Sequence, residues 1–228
     1  KLNVARFKVG SGDTSNLLLL KRLGKTRKPI LLSSGMSSFE ELETSIVFLR
    51  KFGNPLTIMQ CTSKYPTGPK DWGLNVIQEL KNRFELPVGF SDHSGTIYAS
   101  LAAAVMGAEV FEFHVVFDKR QFGPDVSSSI TIDQVKILTE GIKAIQTAMN
   151  NPLNKNNISQ CEDLKKMFGK SLSVNKNKKA GEIIKFEDLE SKKPSEYGIS
   201  AIEFEKVIGK TLNKNLAKWS FLNWEDLD

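Results

Sequence analysis

A regular alternation of short apolar segments with amphipathic helical segments runs through the first 150 residues, and it constrains the fold more than any other feature. The apolar segments are predicted strands at residues 5–9, 29–32, 56–61, 87–90 and 110–116. Helical patterns follow them, including 39–52, opened by the capping box Ser38-Phe-Glu-Glu41, and 132–149, opened by Thr131-Ile-Asp-Gln134. Strands that alternate with helices at this spacing indicate an α/β fold with a parallel sheet, its strands buried on both faces.

Five such units do not close a (β/α)₈ barrel, which needs eight. The pattern therefore fits either an open doubly wound sheet or a barrel whose first three units precede Lys1. The sequence begins with Lys1 and not with Met, as expected for a processed chain or a fragment. In the barrel interpretation, the segments 5–9 and 110–116 are expected to be open sheet edges. No G-x-G-x-x-G turn follows a strand, so a dinucleotide site is not predicted.

The composition changes after residue 150. Residues 151–166 are rich in Asn and Lys and are predicted to be a linker. Residues 167–228 have short strand-like runs and a possible helical turn near 201–207, which predicts a small β domain. Ser171-Leu172 followed by 183–189 resembles Thr211-Leu212 followed by 221–227, which indicates an internal duplication.

The overall composition is that of a globular protein, with 40% hydrophobic and 25% charged residues. No apolar run approaches the length that spans a bilayer, so no membrane association is predicted. The two cysteines, Cys61 and Cys161, lack the spacing of a disulfide framework or a metal motif, and a reducing cytoplasm is the expected location. The net charge is +6, but the lysines are scattered and no aromatic platform accompanies them, so nucleic-acid binding is not predicted.

The two histidines are the first candidates for chemistry. His93 and His114 each fall at the end of a predicted strand. Consecutive parallel strands lie about 4.8 Å apart, so two imidazoles at their carboxyl ends can bind one ion. Imidazole suits Mn, Zn and Fe, and two protein ligands leave positions for water and substrate. The pattern alone fits equally a pair of unrelated histidines, one in the core and one in a loop.

Turns rich in glycine and hydroxyl groups form a second candidate feature. They follow three predicted strands, at 8–13 (KVGSGD), 33–36 (SSGM) and 61–66 (CTSKYP). Glycine lets backbone N–H groups approach an anion, hydroxyls donate to it, and a lysine neutralises it. Lys8 lies inside an apolar strand, where a cation needs either a site facing the barrel interior or a salt bridge. Gly-Ser loops also serve simply as turns, and Cys61 fits a small core residue.

Five motifs taken in order resemble the N-acetylneuraminate synthase family, whose members also make legionaminic and pseudaminic acids. They are FKVGSGD at 7–13, LLSSGM at 31–36, CTSKYP at 61–66, GFSDH at 89–93, and Glu112-Phe-His114 with FGPD at 122–125. Residues 167–228 resemble the antifreeze-like (SAF) domain of that family. The resemblance implies a complete (β/α)₈ barrel, of which this chain supplies the fourth to eighth strands.

The resemblance also implies an activity and a set of site residues. The expected reaction joins phosphoenolpyruvate to N-acetylmannosamine or a related N-acetylated amino sugar, with release of phosphate. His93 and His114 match the ligands of a divalent ion, Mn or Mg, with Co also suitable. The positions that match phosphoenolpyruvate binding are Lys8, Ser11, Ser33, Ser63 and Ser91. Those near the sugar or the attacking water are Asp13, Tyr65 and Asp125. The family also implies a homodimer in which the tail domain covers the partner's barrel.

The sequence departs from the family pattern at several positions. Ser63 stands where asparagine is frequent, and Trp219 stands near a usual glycine. Lys193 occupies the place of an arginine that reaches the partner's sugar, and lysine cannot provide bidentate recognition. The first three strands are absent from the sequence, and with them a lysine and a glutamate that the family places around the substrates.

Three other functions remain open from the sequence. One is a different phosphoenolpyruvate-dependent sugar-acid synthase acting on a phosphorylated aldose. A second is a pyruvate aldolase that forms a Schiff base on Lys8. The third is an inactive chain that acts as a binding module, since three strands of the expected barrel are missing.

Overall fold

The computed structural model describes residues 3–228, and its first unit, which extends to Pro152, is built on a six-stranded parallel sheet. The strands follow one another in space as they do in sequence: β1 (Phe7–Val9), β2 (Ile30–Ser33), β3 (Leu56–Cys61), β4 (Val88–Asp92), β5 (Phe111–Val116) and β6 (Ser129–Thr131). The five predicted strands are confirmed, each to within two residues at either end.

An ion pair shows that this sheet is curled. Lys8 on β1 and Glu112 on β5 are four strands apart, yet Nζ of the lysine lies 3.1 Å from Oε2 of the glutamate. In a flat sheet, four strand spacings amount to roughly 19 Å, more than these two side chains can bridge. The sheet therefore bends round on itself, and the ion pair crosses its concave side. The first unit is an α/β fold that forms part of a barrel.

Five helices cover the convex side of the sheet: α1 (Leu17–Gly24), α2 (Phe39–Arg50), α3 (Leu74–Phe84), α4 (Tyr98–Val105) and α5 (Ile132–Asn150). Val9, Leu32, Ile58 and Val88 lie side by side in register on four strands, and all four are buried in one core with apolar residues of α1 to α4. Both predicted capping boxes, at the starts of α2 and α5, are confirmed. They satisfy free N–H groups in the first helical turn.

The sixth strand corrects the sequence prediction of five. β6 pairs in parallel with β5, with His114 opposite Ser129. It escaped prediction because three residues carry no readable alternation, and its last residue, Thr131, is also the N-cap of α5. The edge strands of the sheet are therefore β1 and β6, and the predicted open edge at 110–116 is wrong. A barrel of eight strands would take six of them from this chain, not five.

The second unit, Leu153–Asp228, has its own core and little regular structure. It contains α6 (Glu162–Phe168), a two-stranded antiparallel sheet of β7 (Ser171–Val174) and β8 (Leu189–Lys192), and the single turn α7 (Phe204–Val207). The helical turn predicted near 201–207 is confirmed. The segment 151–166 is not wholly a linker, because α6 begins inside it, with acidic residues in its first turn and lysines in its last.

Backbone pairing in the second unit repeats at a spacing of 38 residues. Ser173 pairs with Phe221, and Thr211 pairs with Ile183; 211 follows 173 by 38 residues, as 221 follows 183. The predicted duplication is therefore confirmed, and each repeat pairs with the other. The predicted alignment of Ser171-Leu172 with 211–212 is wrong by two residues, since the true counterpart of 211–212 is 173–174.

The repeats keep the same backbone shape with different residues. Gly181 has φ +86°, and the equivalent residue in the second repeat, Trp219, has φ +71°. Glycine adopts this left-handed conformation without strain, whereas a bulky residue there is strained. Trp219 therefore adopts a backbone conformation that glycine favours. This agrees with the resemblance, in which a glycine is usual near this position.

A buried charge cluster fixes the first repeat. The side chains of Lys178 and Asp188 are 6% and 3% exposed, and Nζ lies 2.9 Å from Oδ2. Lys176 also contacts Asp188, at 2.6 Å, and Glu182 contacts Lys178, at 2.7 Å. In the second repeat, Leu216 takes the place of Lys178.

Among residues 3–228, no helix is long and apolar enough to cross a bilayer.

Candidate active site on the concave side of the sheet

Polar side chains gather on the concave side of the sheet, towards the carboxyl ends of β3 to β5. Cys61, Ser91 and Glu112 are paired in register across these three strands. Side chains alternate between the two faces of a strand, so residues in register point to the same face. These three therefore share the concave face with Lys8, which contacts Glu112. In parallel (β/α) folds this end of the sheet is where active sites lie.

Lys8, Glu112 and Ser91 form a connected chain of contacts. Glu112 accepts a hydrogen bond from the Ser91 hydroxyl at 2.7 Å through the same oxygen, Oε2, that pairs with Lys8. Both expectations for Lys8 are thus fulfilled at once, because it faces the interior and has a salt bridge. Sequence reasoning assigned no role to Glu112, although it belongs to the quoted motif. Its partner is distant in sequence, and the pair becomes evident when the sheet curls.

The two histidines lie next to each other, as predicted. Their ring centroids are 5.3 Å apart. His93 directly follows β4, whereas His114 lies in the middle of β5 and not at its end. Tyr65, from the loop after β3, packs against both rings, with centroids 4.1 Å from His93 and 5.8 Å from His114. Three strands therefore contribute to one aromatic cluster.

Hydrogen bonds determine which nitrogen of His93 carries the proton. Nδ1 lies 3.0 Å from the carbonyl oxygen of Thr62, which can only accept, so Nδ1 donates. Burial lowers the pKa of His93, which favours the neutral ring. In that tautomer Nε2 has a free lone pair, and the Tyr65 hydroxyl donates to it at 3.1 Å. Burial, with the nearby Glu112 and Asp125 carboxylates, raises the pKa of Tyr65 and keeps this hydroxyl protonated.

The histidine pair has the chemistry of a metal site. A metal–imidazole bond is about 2.1 Å long, so two rings with centroids 5.3 Å apart can share one ion. A carbonyl acceptor on the second nitrogen, as at His93, is the usual support for a ligating imidazole. Asp125 lies 3.7 Å from Nδ1 of His114 and can orient that ring. Among residues 3–228, no group of three or more His, Cys, Asp and Glu side chains is placed to hold an ion.

A set of small residues lies beside this cluster, in the loops after β1, β2 and β3. A Cβ on Gly35 would lie 2.7 Å from Oγ of Ser11 and 3.0 Å from Oγ of Ser63, so glycine is needed for these hydroxyls to approach. Ser63 donates to the Gly35 carbonyl, and Ser11 contacts Sγ of Cys61 at 3.7 Å. The three turns singled out in the sequence therefore meet at one place.

The remaining predicted residues have different surroundings. Ser33 is fully buried at the end of β2, and its hydroxyl has no hydrogen-bond partner within residues 3–228. Asp13 lies in the turn after β1, where its carboxylate accepts from the Asn16 amide at 3.0 Å. Lys193 belongs to the second unit, with its ammonium group 4.4 Å from the centre of the Phe168 ring. Among residues 3–228, the side-chain contact of Asp13 is with Asn16 and not with the histidine cluster.

Comparison with known proteins identifies the family. The model of the NeuB family matches residues 1–154, about two thirds of the chain. The chain belongs to the NeuB family. The predicted resemblance to N-acetylneuraminate synthases is thereby confirmed for the first unit, and the assignment of the second unit as an antifreeze-like domain stays a prediction.

Relatives of this NeuB-family chain carry the names of synthases. It is 38% identical over 218 residues to an N,N'-diacetyllegionaminic acid synthase of Campylobacter jejuni, covering 94% of this chain and 65% of the relative. It is 32% identical to the human N-acetylneuraminate-9-phosphate synthase, covering 92% of this chain and 58% of that protein. The chain therefore spans about two thirds or less of the length of these relatives.

A solved structure supports the fold of this NeuB-family member. The N-acetylneuraminic acid synthetase of Leptospira borgpetersenii, in complex with citrate, superposes with a TM-score of 0.66 at 30% identity. The match covers 72% of this chain and 57% of the other. This similarity agrees with a sheet that forms part of a barrel.

Proposed function

We propose that this chain is part of a nonulosonic acid synthase, which joins phosphoenolpyruvate to N-acetylmannosamine or a related N-acetylated amino sugar and releases phosphate. The observation that carries the proposal is the meeting of the His93–His114 pair with Lys8 and the serine–glycine turns on one concave face of a NeuB-family sheet. The names of the relatives, which include legionaminic and N-acetylneuraminate-9-phosphate synthases, supply the class of product.

The anionic substrate would be held by one cation and several hydroxyls. Lys8 carries the charge, and the unpartnered hydroxyl of Ser33 offers a free donor on a fully buried residue. A buried hydroxyl without a partner is costly unless a ligand satisfies it. The hydroxyls of Ser11, Ser63 and Ser91 donate to Cys61, Gly35 and Glu112 and would rotate to donate to the anion instead. Preorganised donors of this kind stabilise a phosphate as charge moves onto it during the reaction.

The amino sugar would lie against the aromatic cluster. Tyr65 presents a protonated hydroxyl, and Asp125 presents a half-exposed carboxylate that can accept from sugar hydroxyls or orient a water. Asp13 is assigned to the same region by the family resemblance. A divalent ion, Mn or Mg with Co also suitable, would be held by His93 and His114 and would supply Lewis-acid polarisation of the sugar aldehyde.

In the proposed reaction, carbon 3 of phosphoenolpyruvate attacks the aldehyde carbon of the open-chain sugar, and the aldehyde oxygen takes up a proton to become a hydroxyl. A water adds to carbon 2 and gives up one proton. The C–O bond to phosphate then breaks as the water oxygen becomes the carbon 2 carbonyl, and inorganic phosphate leaves with the bridging oxygen and the second proton of the water. The residues of this chain act by holding the two substrates at reacting distance and by neutralising the phosphate as it departs.

The second unit is proposed to be an antifreeze-like domain that acts across a homodimer. In this arrangement it covers the barrel of the partner, and Lys193 donates one hydrogen bond to the partner's sugar. Mixing a Lys193→Ala subunit with a His93→Ala subunit tests this arrangement, because the mixture regains one intact site. Partial recovery of activity supports the exchange. A mixture that stays inactive while both variants fold and dimerise refutes it.

Phosphate release tests the reaction itself. An eight-stranded barrel needs two strands beyond the six described, so the assay includes a polypeptide that carries two further βα units. With phosphoenolpyruvate, Mn and N-acetylmannosamine, we expect phosphate release and a product with the mass of an N-acetylated amino sugar acid with a nine-carbon backbone. Release with a phosphorylated aldose but not with the amino sugar would assign a different synthase. Trapping of pyruvate on Lys8 by borohydride would assign an aldolase.

A further inference from the structure

Glu112 contacts two of the groups, Lys8 and Ser91, that are proposed to bind the anionic substrate. Its Oε2 lies 3.1 Å from the Lys8 ammonium and accepts the Ser91 hydroxyl at 2.7 Å. A phosphate or carboxylate that binds Lys8 and Ser91 must therefore share them with this carboxylate or displace it. Glu112 is thus placed as a competitor of the ligand, with the same charge sign as the ligand.

The exposure of this ion pair makes such competition feasible. The side chains of Lys8 and Glu112 are 34% and 40% exposed. An ion pair that is accessible to solvent contributes little to stability, so a ligand with two or three negative charges can displace the glutamate from the lysine. Glu112 can then turn towards solvent without leaving a buried charge. A deeply buried pair would not allow this exchange, because its separation strands a charge.

We propose that Glu112 is a positioning residue that limits how tightly the site binds an anion, by competing with the ligand for Lys8. The inference rests on the proposed function, because that function makes Lys8 an anion-binding group. Glu112 also keeps Lys8 directed into the concave face, where the serine turns lie. Its carboxylate therefore orients the lysine for the ligand. At the same time it lowers the affinity of the site for phosphate, the product that must leave.

Glu112→Gln separates charge from shape. The amide oxygen that replaces the carboxylate still accepts from Ser91, but the competing negative charge is gone. Isothermal titration with inorganic phosphate as the probe should show binding about fivefold tighter, the size expected for removing one like charge several ångströms away in a half-exposed site. Lys8→Met should weaken phosphate binding about tenfold. In the double variant, the increase in phosphate affinity caused by Glu112→Gln should disappear, because there is no lysine for which residue 112 and phosphate could compete.

A second lysine–glutamate pair supplies the matched control. Glu109, in the loop before β5, pairs at 3.5 Å with Lys81 of α3, which lies on the convex side of the sheet. Glu109→Gln should leave the phosphate affinity within about twofold of the unsubstituted chain, because its charge is remote from Lys8 and screened by solvent. It tests whether a general change in net charge, and not the position of Glu112, causes the tighter binding. Thermal unfolding of each variant verifies that the fold is retained.

The outcomes separate the inference from the function on which it rests. Weaker or unchanged phosphate binding by Glu112→Gln, with Lys8→Met impaired, overturns the competition and leaves the anion site standing. A gain that persists in the double variant also overturns it, since simple repulsion would then be the cause. If the unsubstituted chain does not bind phosphate, or Lys8→Met binds it equally well, the anion site assigned to Lys8 is wrong and the inference falls with it.

Discussion

Each unit of the molecule contains a lysine paired with a carboxylate, and the two pairs differ in almost every respect. Lys8 and Glu112 face the concave side of the sheet and are 34% and 40% exposed, whereas Lys178 and Asp188 are 6% and 3% exposed. The first pair is weak and exchangeable. The second is surrounded by further partners and cannot be opened without stranding a charge. We propose that the same two chemical groups serve anion binding in the first unit, whereas they serve architecture in the second.

Breaking the buried pair should give the largest effect. Asp188→Asn removes the buried counter-charge of Lys178, leaves it only the partly exposed Glu182, and should lower the free energy of unfolding of the second unit by about 3 kcal/mol. Urea unfolding followed by fluorescence measures this. In a Trp72→Phe background, the remaining tryptophans, Trp219 and Trp224, both belong to the second unit.

The second repeat provides the control for that prediction. Lys178→Leu reproduces the residue found at the equivalent position, Leu216, and leaves Asp188 with Lys176, as Asp226 is left with Lys214. We expect Lys178→Leu to lower the free energy of unfolding clearly less than Asp188→Asn does. Equal losses from both substitutions would show that the pair itself, and not the stranded lysine, sets the stability.

The site in the first unit should respond in binding and not in stability. His114→Ala removes one of two proposed ligands, and its side chain is one-third exposed, so the fold should be retained. We expect the affinity for Mn to fall at least about 100-fold, or about 2.7 kcal/mol. Titration of Mn followed by electron paramagnetic resonance measures it. An unchanged affinity in both His114→Ala and His93→Ala would refute the metal site.

Acid should act on the second unit through Asp188. Burial acts to raise the pKa of this carboxyl, but hydrogen bonds from Lys176, Lys178 and the Lys185 backbone outweigh it and hold the pKa well below its usual range. A carboxyl with a depressed pKa in the folded state stabilises the fold above its unfolded value, about 4, and loses that contribution as the pH falls further. Unfolding of the second unit measured from neutral pH down to about 2 should show this loss, and Asp188→Asn should abolish it.

The smallest effect is expected when the exposed pair is broken. Lys8→Met should change the free energy of unfolding by no more than about 0.5 kcal/mol, because Glu112 can then turn towards water. Fluorescence of Trp72, in a chain that lacks the other two tryptophans, reports on the first unit. A loss of about 2 kcal/mol or more would mean that this pair is structural too, and the contrast between the units would be lost.

Sequence reasoning was most successful where the signal was local. The capping boxes at Ser38 and Thr131 and the strand at Leu56–Cys61 follow from neighbouring residues, and the structure shows them as expected. The closeness of His93 and His114 also followed from local pattern, since consecutive parallel strands are adjacent. Short or composition-biased elements were missed, as β6 and α6 show.

Contacts between distant strands could not be predicted in the same way. Glu112 meets Lys8 because the sheet curls, and curvature depends on the packing of every strand and helix together. The sequence pattern indicates which face a residue occupies, but it does not give the distance across that face. The 38-residue spacing of the repeats had a similar limit, since weak similarity allowed a slip of two residues that backbone pairing corrects.

The cross-pairing of the repeats has a consequence for assembly. Ser173 of the first repeat bonds with Phe221 of the second, and Ile183 of the first with Thr211 of the second, so each half completes the other. A single repeat on its own would leave these backbone groups unpaired. Its surface would be complementary to that of an identical copy related by a two-fold axis. The second unit is thus equivalent to an intertwined dimer of two short peptides joined into one chain. Joining them removes the dependence on concentration that two separate peptides would have.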